Sequence, residues 1–224
     1  MTTKLDVVIM AAGKGTRMKS SLPKVLHTLA GKALVQHVID TARQLHARHT
    51  IVITGHGADQ VESFLGLAYG QSGLEFARQM PQLGTGHAVQ QAVPALPDDG
   101  VVVVLSGDVP LTQGQTLQTL VQACDGDKLA LLTIEFQDPT GYGRIVRSPS
   151  GQVHAIVEHK DASEAERATK LCNSGVMCAD ARTLFQLLAQ VRNENVKGEY
   201  YLTDVVALAR AAGQTTHVLV GEES

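Results

Sequence analysis

Five stretches of this chain, Asp6–Ala11, Thr50–Thr54, Leu74–Arg78, Val101–Leu105 and Lys128–Phe136, are suited to strands, and several are near-continuous apolar runs. A strand that is apolar on both faces must be covered on both faces, which is the condition of a parallel sheet. Helical patterns lie between the runs. Leu34, Val35, Val38, Ile39, Ala42 and Leu45 make one apolar stripe, and Leu117, Leu120, Val121 and Cys124 make another at i, i+3, i+4, i+7. Strand–helix–strand alternation at this spacing predicts an α/β fold with a doubly wound, parallel sheet.

The pattern changes after Phe136. Asp138-Pro139-Thr140-Gly141 is a turn, and Arg144–Arg147 is expected to pair with Gln152–Glu158 across Pro149-Ser150-Gly151 as a hairpin. A strand over Leu171–Ala179 and helices around Ala181–Val191 and Thr203–Ala212 complete the chain. No Pro/Ser/Gly-rich linker separates the parts. The expectation is one domain over residues 1–224, with 137–224 covering the open face of a sheet built by 1–136.

Composition narrows the function. At 19 Lys+Arg against 22 Asp+Glu the net charge is −3, which lacks the basic footprint of a nucleic-acid or anionic-membrane binder. Neither partner is expected. The apolar runs fall far short of the roughly 18 residues of a membrane span. Near the N-terminus, Asp6 interrupts an apolar stretch that is too short for a secretory signal, and Gly13-Lys14-Gly15 stands where a cleavage site would be. Three cysteines (Cys124, Cys172, Cys178) with no CxxC suit free thiols in a reducing cytosol.

The loop after the first strand carries the chemistry: Ala11-Ala12-Gly13-Lys14-Gly15-Thr16-Arg17-Met18, then Leu22-Pro23-Lys24. Glycines directly after a buried strand let backbone N–H groups converge on an anion. Lys14, Arg17 and Lys24 add positive charge, so the segment reads as a polyphosphate cradle. It is neither a P-loop, whose Lys follows the second glycine, nor a dinucleotide fingerprint, because Met18 occupies the last glycine position.

Two other segments are ambiguous when read alone. Asp108 follows a buried strand at the carboxyl edge of the sheet, where doubly wound folds place their sites. It fits a helix N-cap before Val109-Pro110 or a carboxylate for a hard cation. Gln79 is a solvated loop residue or an amide for a pyrimidine edge, and Gly84-Thr85-Gly86 could simply cap a helix over Ala88–Val93.

These residues resemble a known family. AAGKGTRM…LPKVLHTLAGK is similar to the N-terminal uridylyltransferase domain of the bifunctional N-acetylglucosamine-1-phosphate uridylyltransferase/glucosamine-1-phosphate acetyltransferases. The likeness continues through Gln82–Ala88, Ser106–Pro110, Asp138–Ile145, Ile156–Asp161 and Gly198–Asp204. It implies a Rossmann-like, mixed but mostly parallel sheet of the nucleotide-diphospho-sugar transferase type, with a small β-rich sugar-binding lobe.

The resemblance also implies roles. The backbone of Met10, Ala11, Ala12 and Gly13, with Gly15, Gln79, Gly84 and Thr85, holds the nucleotide. Asp108 holds Mg²⁺. Arg17 and Lys24 act on the phosphates, Lys24 at the α-phosphate, with Lys14 assisting. Ser106, Gly107, Gly143, Glu158, Asn173, Tyr201 and Thr203 face the sugar phosphate. Read alone, the last two are equally a core tyrosine and an N-cap threonine.

The implied reaction joins UTP and N-acetylglucosamine 1-phosphate into UDP-N-acetylglucosamine and pyrophosphate, in the cytoplasm, feeding peptidoglycan and lipopolysaccharide precursors. A phosphate nucleophile has its second pKa near about 6 and needs no general base. The alternatives are another nucleotidyltransferase of the same fold and a non-catalytic nucleotide-sugar-binding module. The family continues into a β-helix that carries the acetyltransferase and the trimer contacts, and into an Asn that also ligates the metal. This sequence stops at Glu222-Glu223-Ser224, so a monomer without acetyltransferase activity is expected.

Overall fold

The computed structural model describes residues 4–15, 18–70, 73–124 and 128–221. In chain order the elements are β1 (Leu5–Met10), the short pair β2 (Thr28–Leu29) and β3 (Lys32–Ala33), α1 (Leu34–Arg43), β4 (Thr50–Thr54), α2 (Ala58–Tyr69), β5 (Glu75–Arg78), α3 (Thr85–Gln90), β6 (Val101–Ser106) and α4 (Gly114–Cys124). They continue with β7 (Leu129–Glu135), β8 (Arg144–Arg147), β9 (Val153–Val157), α5 (Glu164–Arg167), β10 (Leu171–Asp180), α6 (Ala181–Leu188), α7 (Asp204–Ala211) and β11 (Thr216–Gly221).

The main sheet runs β11-β7-β10-β6-β1-β4-β5. Every pairing along it is parallel except the two made by β10, which lies antiparallel between β6 and β7. The mixed, mostly parallel sheet is therefore the one expected, and its five predicted strands fall within a residue or two of their places.

Side-chain alternation along the strands feeds two cores, one on each face. Val7, Ile9, Val101, Val103 and Leu105 point to one, with Val35, Val38 and Ile39 of α1, Val61 and Leu65 of α2, and Leu117 and Leu120 of α4. Val8, Val102 and Val104 point to the other, with Ala88 and Val89 of α3, Leu184 and Leu187 of α6, and Val205 and Val206 of α7. Each fully buried Leu, Ile or Val contributes about 1.5–3 kcal/mol relative to exposure. Two-sided cover is why these strands could afford so few polar residues.

The second half does more than cover a face. The β8–β9 hairpin forms as expected, pairing Arg144 with Val157 and Ile145 with Ile156, and it attaches to the start of β10. But β10 and β11 are strands of the main sheet itself. A buried polar pair also ties the first half together: Asp6 on β1 is fully enclosed and receives two hydrogen bonds from Arg48, which also binds Asp99.

After β1 the chain first builds β4 and β5 on one side, then returns to β6 on the other. That reversal opens a crevice at the carboxyl ends of β1 and β6, the usual ligand position in such sheets.

Candidate active site

The loop leaving β1 is anchored at its base and open beyond it. The Met10 carbonyl accepts from Gly107 N (2.9 Å), Ala11 N donates to Ile53 O (2.8 Å), and the Ala12 carbonyl accepts from His56 N (3.2 Å). Those bonds fix the crevice floor across β1, β4 and β6. From Gly13 the loop turns outward. Gly13 is exposed, and among the described residues a Cβ there would meet nothing within 4 Å.

Gly15 has φ +56°, and a Cβ on it would come within 2.8 Å of the Lys24 Cβ. The glycine thus lets the loop close against Lys24. Pro23 sets that residue at the start of a short 3₁₀ turn, Lys24–Leu26, and is itself seated against Gly57. Lys14 is exposed, and Arg17 lies outside the described residues.

The Lys24 ammonium crosses the crevice to form an ion pair with Asp108. The other carboxylate oxygen of Asp108 accepts from Ser106 Oγ at 2.6 Å. Burial pushes this carboxyl up, but the bonds from Lys24 and Ser106 and the Lys24 charge outweigh it, so the group titrates below the ordinary aspartate range. Asp108 is not a helix cap, because α4 begins only at Gly114.

The donor set suits a hard cation. Among the described residues no group of three or more His, Cys, Asp or Glu could hold a metal. A single carboxylate is a donor set that fits Mg²⁺, which keeps waters and takes its other oxygens from phosphates. A closed Zn-type cage does not fit.

Gln79 and the segment after it are built in, not solvated. Gln79 is buried, and its Nε2 donates to Gly84 O at 2.8 Å and lies 3.1 Å from His87 Nδ1. Gly84 has φ +114°, and a Cβ there would stand 2.5 Å from Tyr200 O. The helix it precedes starts at Thr85 and ends at Gln90, earlier than the expected Ala88–Val93. No side chain caps it. Instead Thr85 Oγ1 accepts from Leu202 N (2.9 Å), Gly86 N donates to Tyr200 O (2.8 Å) and Tyr200 N to Leu83 O (2.8 Å). This seam joins residues 83–86 to residues 200–202.

The candidates from the second half converge. Asn173 N donates to Gly143 O at 2.9 Å, and a Cβ on Gly143 would lie 3.0 Å from Ile156 Cγ2 and 3.5 Å from Glu158 Oε1. Thr203 precedes α7 but makes no cap bond; its hydroxyl donates to Glu158 Oε1 at 3.2 Å. Burial raises the Glu158 carboxyl, the Asp161 and Glu199 charges add to that, and Thr203 and Lys197 oppose it. Tyr201 is buried with its hydroxyl 3.5 Å from Asp161 Oδ2.

Sequence reasoning passed over Asp161, Asp204 and Arg144. Burial and the charges of Glu158 and Asp161 push Asp204 up to about 6. Arg144 is 1% exposed. A signal existed for it: Arg144 and Arg147 stand three apart on one short strand, so regular alternation must turn one of them inward.

Comparison with known proteins agrees with this architecture. Residues 7–195 match the family described as the MobA-like NTP transferase domain. The chain is 63% identical over 215 residues to the bifunctional protein GlmU of Polaromonas naphthalenivorans, covering 93% of this chain and 46% of that protein. It is 59% identical over 214 residues to the GlmU of Acidovorax sp., covering 94% and 45%. The chain thus spans about half the length of these curated relatives. A solved UDP-glucose pyrophosphorylase, complexed with UDP-glucose, superposes with a TM-score of 0.79 over 97% of this chain and 91% of that one, at 16% identity, and shares the fold. A sheet with this crossover, the anchored glycine loop and a match over most of its length make the chain a member of the MobA-like NTP transferase domain family.

Proposed function

We propose that the protein is a uridylyltransferase that makes UDP-N-acetylglucosamine and pyrophosphate from UTP and N-acetylglucosamine 1-phosphate. The observation that carries this reading is the meeting of Lys24 and Asp108 at the mouth of the glycine loop; Gly143, Glu158, Asn173 and Thr203, which gather as a second group, are assigned to the sugar. Residues 1–136 take the nucleotide and 137–224 close the sugar site.

The reaction is an in-line displacement. A phosphate oxygen of the sugar phosphate bonds to the α-phosphorus of UTP, and the bond to the β-phosphate oxygen breaks. The nucleophile is already largely dianionic at neutral pH, with a second pKa of about 6, so no side chain need remove a proton. The work of the site is to gather anions. Backbone N–H groups of the outward loop, with Arg17, hold the β- and γ-phosphates. Lys24 leaves the Asp108 carboxylate for the α-phosphate and then balances charge on the departing pyrophosphate. Asp108 would hold Mg²⁺, which would supply positive charge against the repulsion between the two phosphate groups. Met10–Gly13, Gln79, Gly84 and Thr85 frame the uridine. Ser106, Gly107 and Tyr201 line the sugar phosphate, while Glu158, Asn173 and Thr203 offer fixed donors and acceptors to sugar hydroxyls.

The likeness of the motif residues to the uridylyltransferase family supports this choice of nucleotide and sugar, as does the 63% identity to a GlmU protein. The same reading places the enzyme in the cytoplasm. Among the described residues no helix is long and apolar enough to cross a membrane.

The test is pyrophosphate release measured for each of four NTPs against several sugar phosphates, with Mg²⁺ titrated. The pair UTP and N-acetylglucosamine 1-phosphate should give the highest kcat/KM. A preference for CTP, GTP or dTTP would replace the uridylyl assignment. Tight UDP-N-acetylglucosamine binding with no pyrophosphate released at any Mg²⁺ level would make the chain a binding module.

A further inference from the structure

Arg144 is among the largest fully buried side chains, yet none of the described carboxylates forms an ion pair with it. A guanidinium out of water is costly unless its donors are satisfied. Here they are spent on three separate segments. One Nη donates to Tyr142 O, the other lies 3.3 Å from His159 Nδ1, and Nε reaches Arg167 O at 3.4 Å. Arg167 Nε in turn donates to His159 O at 3.2 Å, closing a ring of contacts.

An arginine can only donate, so His159 Nδ1 must be the acceptor and the ring proton sits on Nε2. The three anchored segments are the flanks of the proposed sugar site. Tyr142 and Arg144 bracket Gly143, whose carbonyl receives Asn173 N. His159 directly follows Glu158, and Arg167 closes α5 over the same hairpin. A lysine could not span three acceptors in a planar fork.

We propose that Arg144, acting through His159, is a positioning residue for sugar recognition: it fixes the spacing between Gly143 and Glu158 without touching substrate. The inference rests on the sugar-site reading above. It accounts for a buried cation that the proposed phosphate chemistry does not use.

The test compares His159→Ala, His159→Asn, Arg144→Met and the unaltered protein. Kinetics are read separately for UTP and N-acetylglucosamine 1-phosphate, and calorimetry compares UDP with UDP-N-acetylglucosamine. His159→Ala, at a half-buried position, removes the acceptor and leaves one Arg144 guanidinium N–H without its partner, so a thermal melt accompanies its kinetics. It should raise KM for the sugar phosphate about tenfold, with kcat and KM for UTP within twofold. His159→Asn, whose amide oxygen can take the place of Nδ1, should restore most of the loss. Arg144→Met should show the same split more strongly if it folds.

Unchanged sugar-phosphate KM in His159→Ala, equal losses for both substrates, or no rescue by Asn would overturn the inference. The calorimetry separates that failure from failure of the parent reading. If the unaltered protein gains affinity from the sugar and His159→Ala keeps the whole gain, only the Arg144 assignment falls. If the unaltered protein gains none, the sugar-site reading falls and takes the inference with it.

Discussion

Lys24 and Asp108, 84 positions apart in the chain, are ion-paired across the crevice at the carboxyl ends of β1 and β6. In the proposed reaction both side chains act at phosphate groups, and here they hold one another. On that reading the substrate phosphates would have to exchange with this pair.

Lys24→Ala should therefore lose about two to three decades in kcat, the usual effect of removing a preorganised donor from a developing charge. Stability should fall by only about 1 kcal/mol, because both partners are partly open to water. Pyrophosphate release and thermal melts on the same preparation check both. Near-normal activity would remove Lys24 from the phosphate path.

Gly13→Ala and Gly15→Ala should part company. A methyl on Gly13 meets nothing within 4 Å among the described residues, whereas on Gly15 it presses on Lys24 and must adopt a left-handed backbone. Gly13→Ala should melt as the parent does, within about 0.5 kcal/mol, yet bind UTP more weakly if phosphate approaches that backbone. Gly15→Ala should lose both UTP affinity and about 1–2 kcal/mol. Equal UTP affinity in Gly13→Ala and the parent would move the triphosphate away from the loop.

The raised carboxyl of Asp204 predicts a pH-dependent gain in Asp204→Asn. Burial, with Glu158 and Asp161 nearby, lifts it from 3.8 to about 6. The folded state therefore holds its proton more tightly than the unfolded chain does, and ionising it lowers stability as pH rises from about 4 through 6. The amide should stabilise the protein by about 1 kcal/mol at pH 7.5, after allowance for solvent screening. That corresponds to roughly 2–4 °C in Tm. The gain should vanish near pH 4. A pH-independent difference would mean that the charge is not the cause.

Arg48→Met should destabilise by about 3 kcal/mol, since it strands the enclosed Asp6 carboxylate. Adding Asp6→Asn should recover much of the loss. Chemical denaturation of the two variants measures this, and additive losses would contradict it.

The sequence made the parallel half legible because covered strands such as Val101–Leu105 leave no room for polar residues, and because α1 and α4 carry clean apolar stripes. β11 was missed because its apolar run, Val218-Leu219-Val220, is only three residues long on a partly exposed edge strand. The place of β10 between β6 and β7 could not be read either, since pairing partners far apart in sequence leave no local mark. At the site, the glycine loop stood out by charge and spacing, whereas Asp108 read alone was equally a helix cap and only the family resemblance favoured a metal carboxylate. Gln79 looked like a surface amide because its partners, Gly84 O and His87, become neighbours only when the loop folds back. Arg144 escaped notice for a similar reason: its acceptors are two backbone carbonyls and a histidine, none of which advertises a buried cation.

The insertion of β10 has an evolutionary meaning. Its backbone completes the hydrogen bonding of β6 on one edge and β7 on the other, so a gene cut near codon 137 would yield a first product with a gap in the middle of its scaffold. Residues 1–136 and 137–224 therefore cannot stand as two separate modules in the present arrangement, and the sheet closes only when both are present.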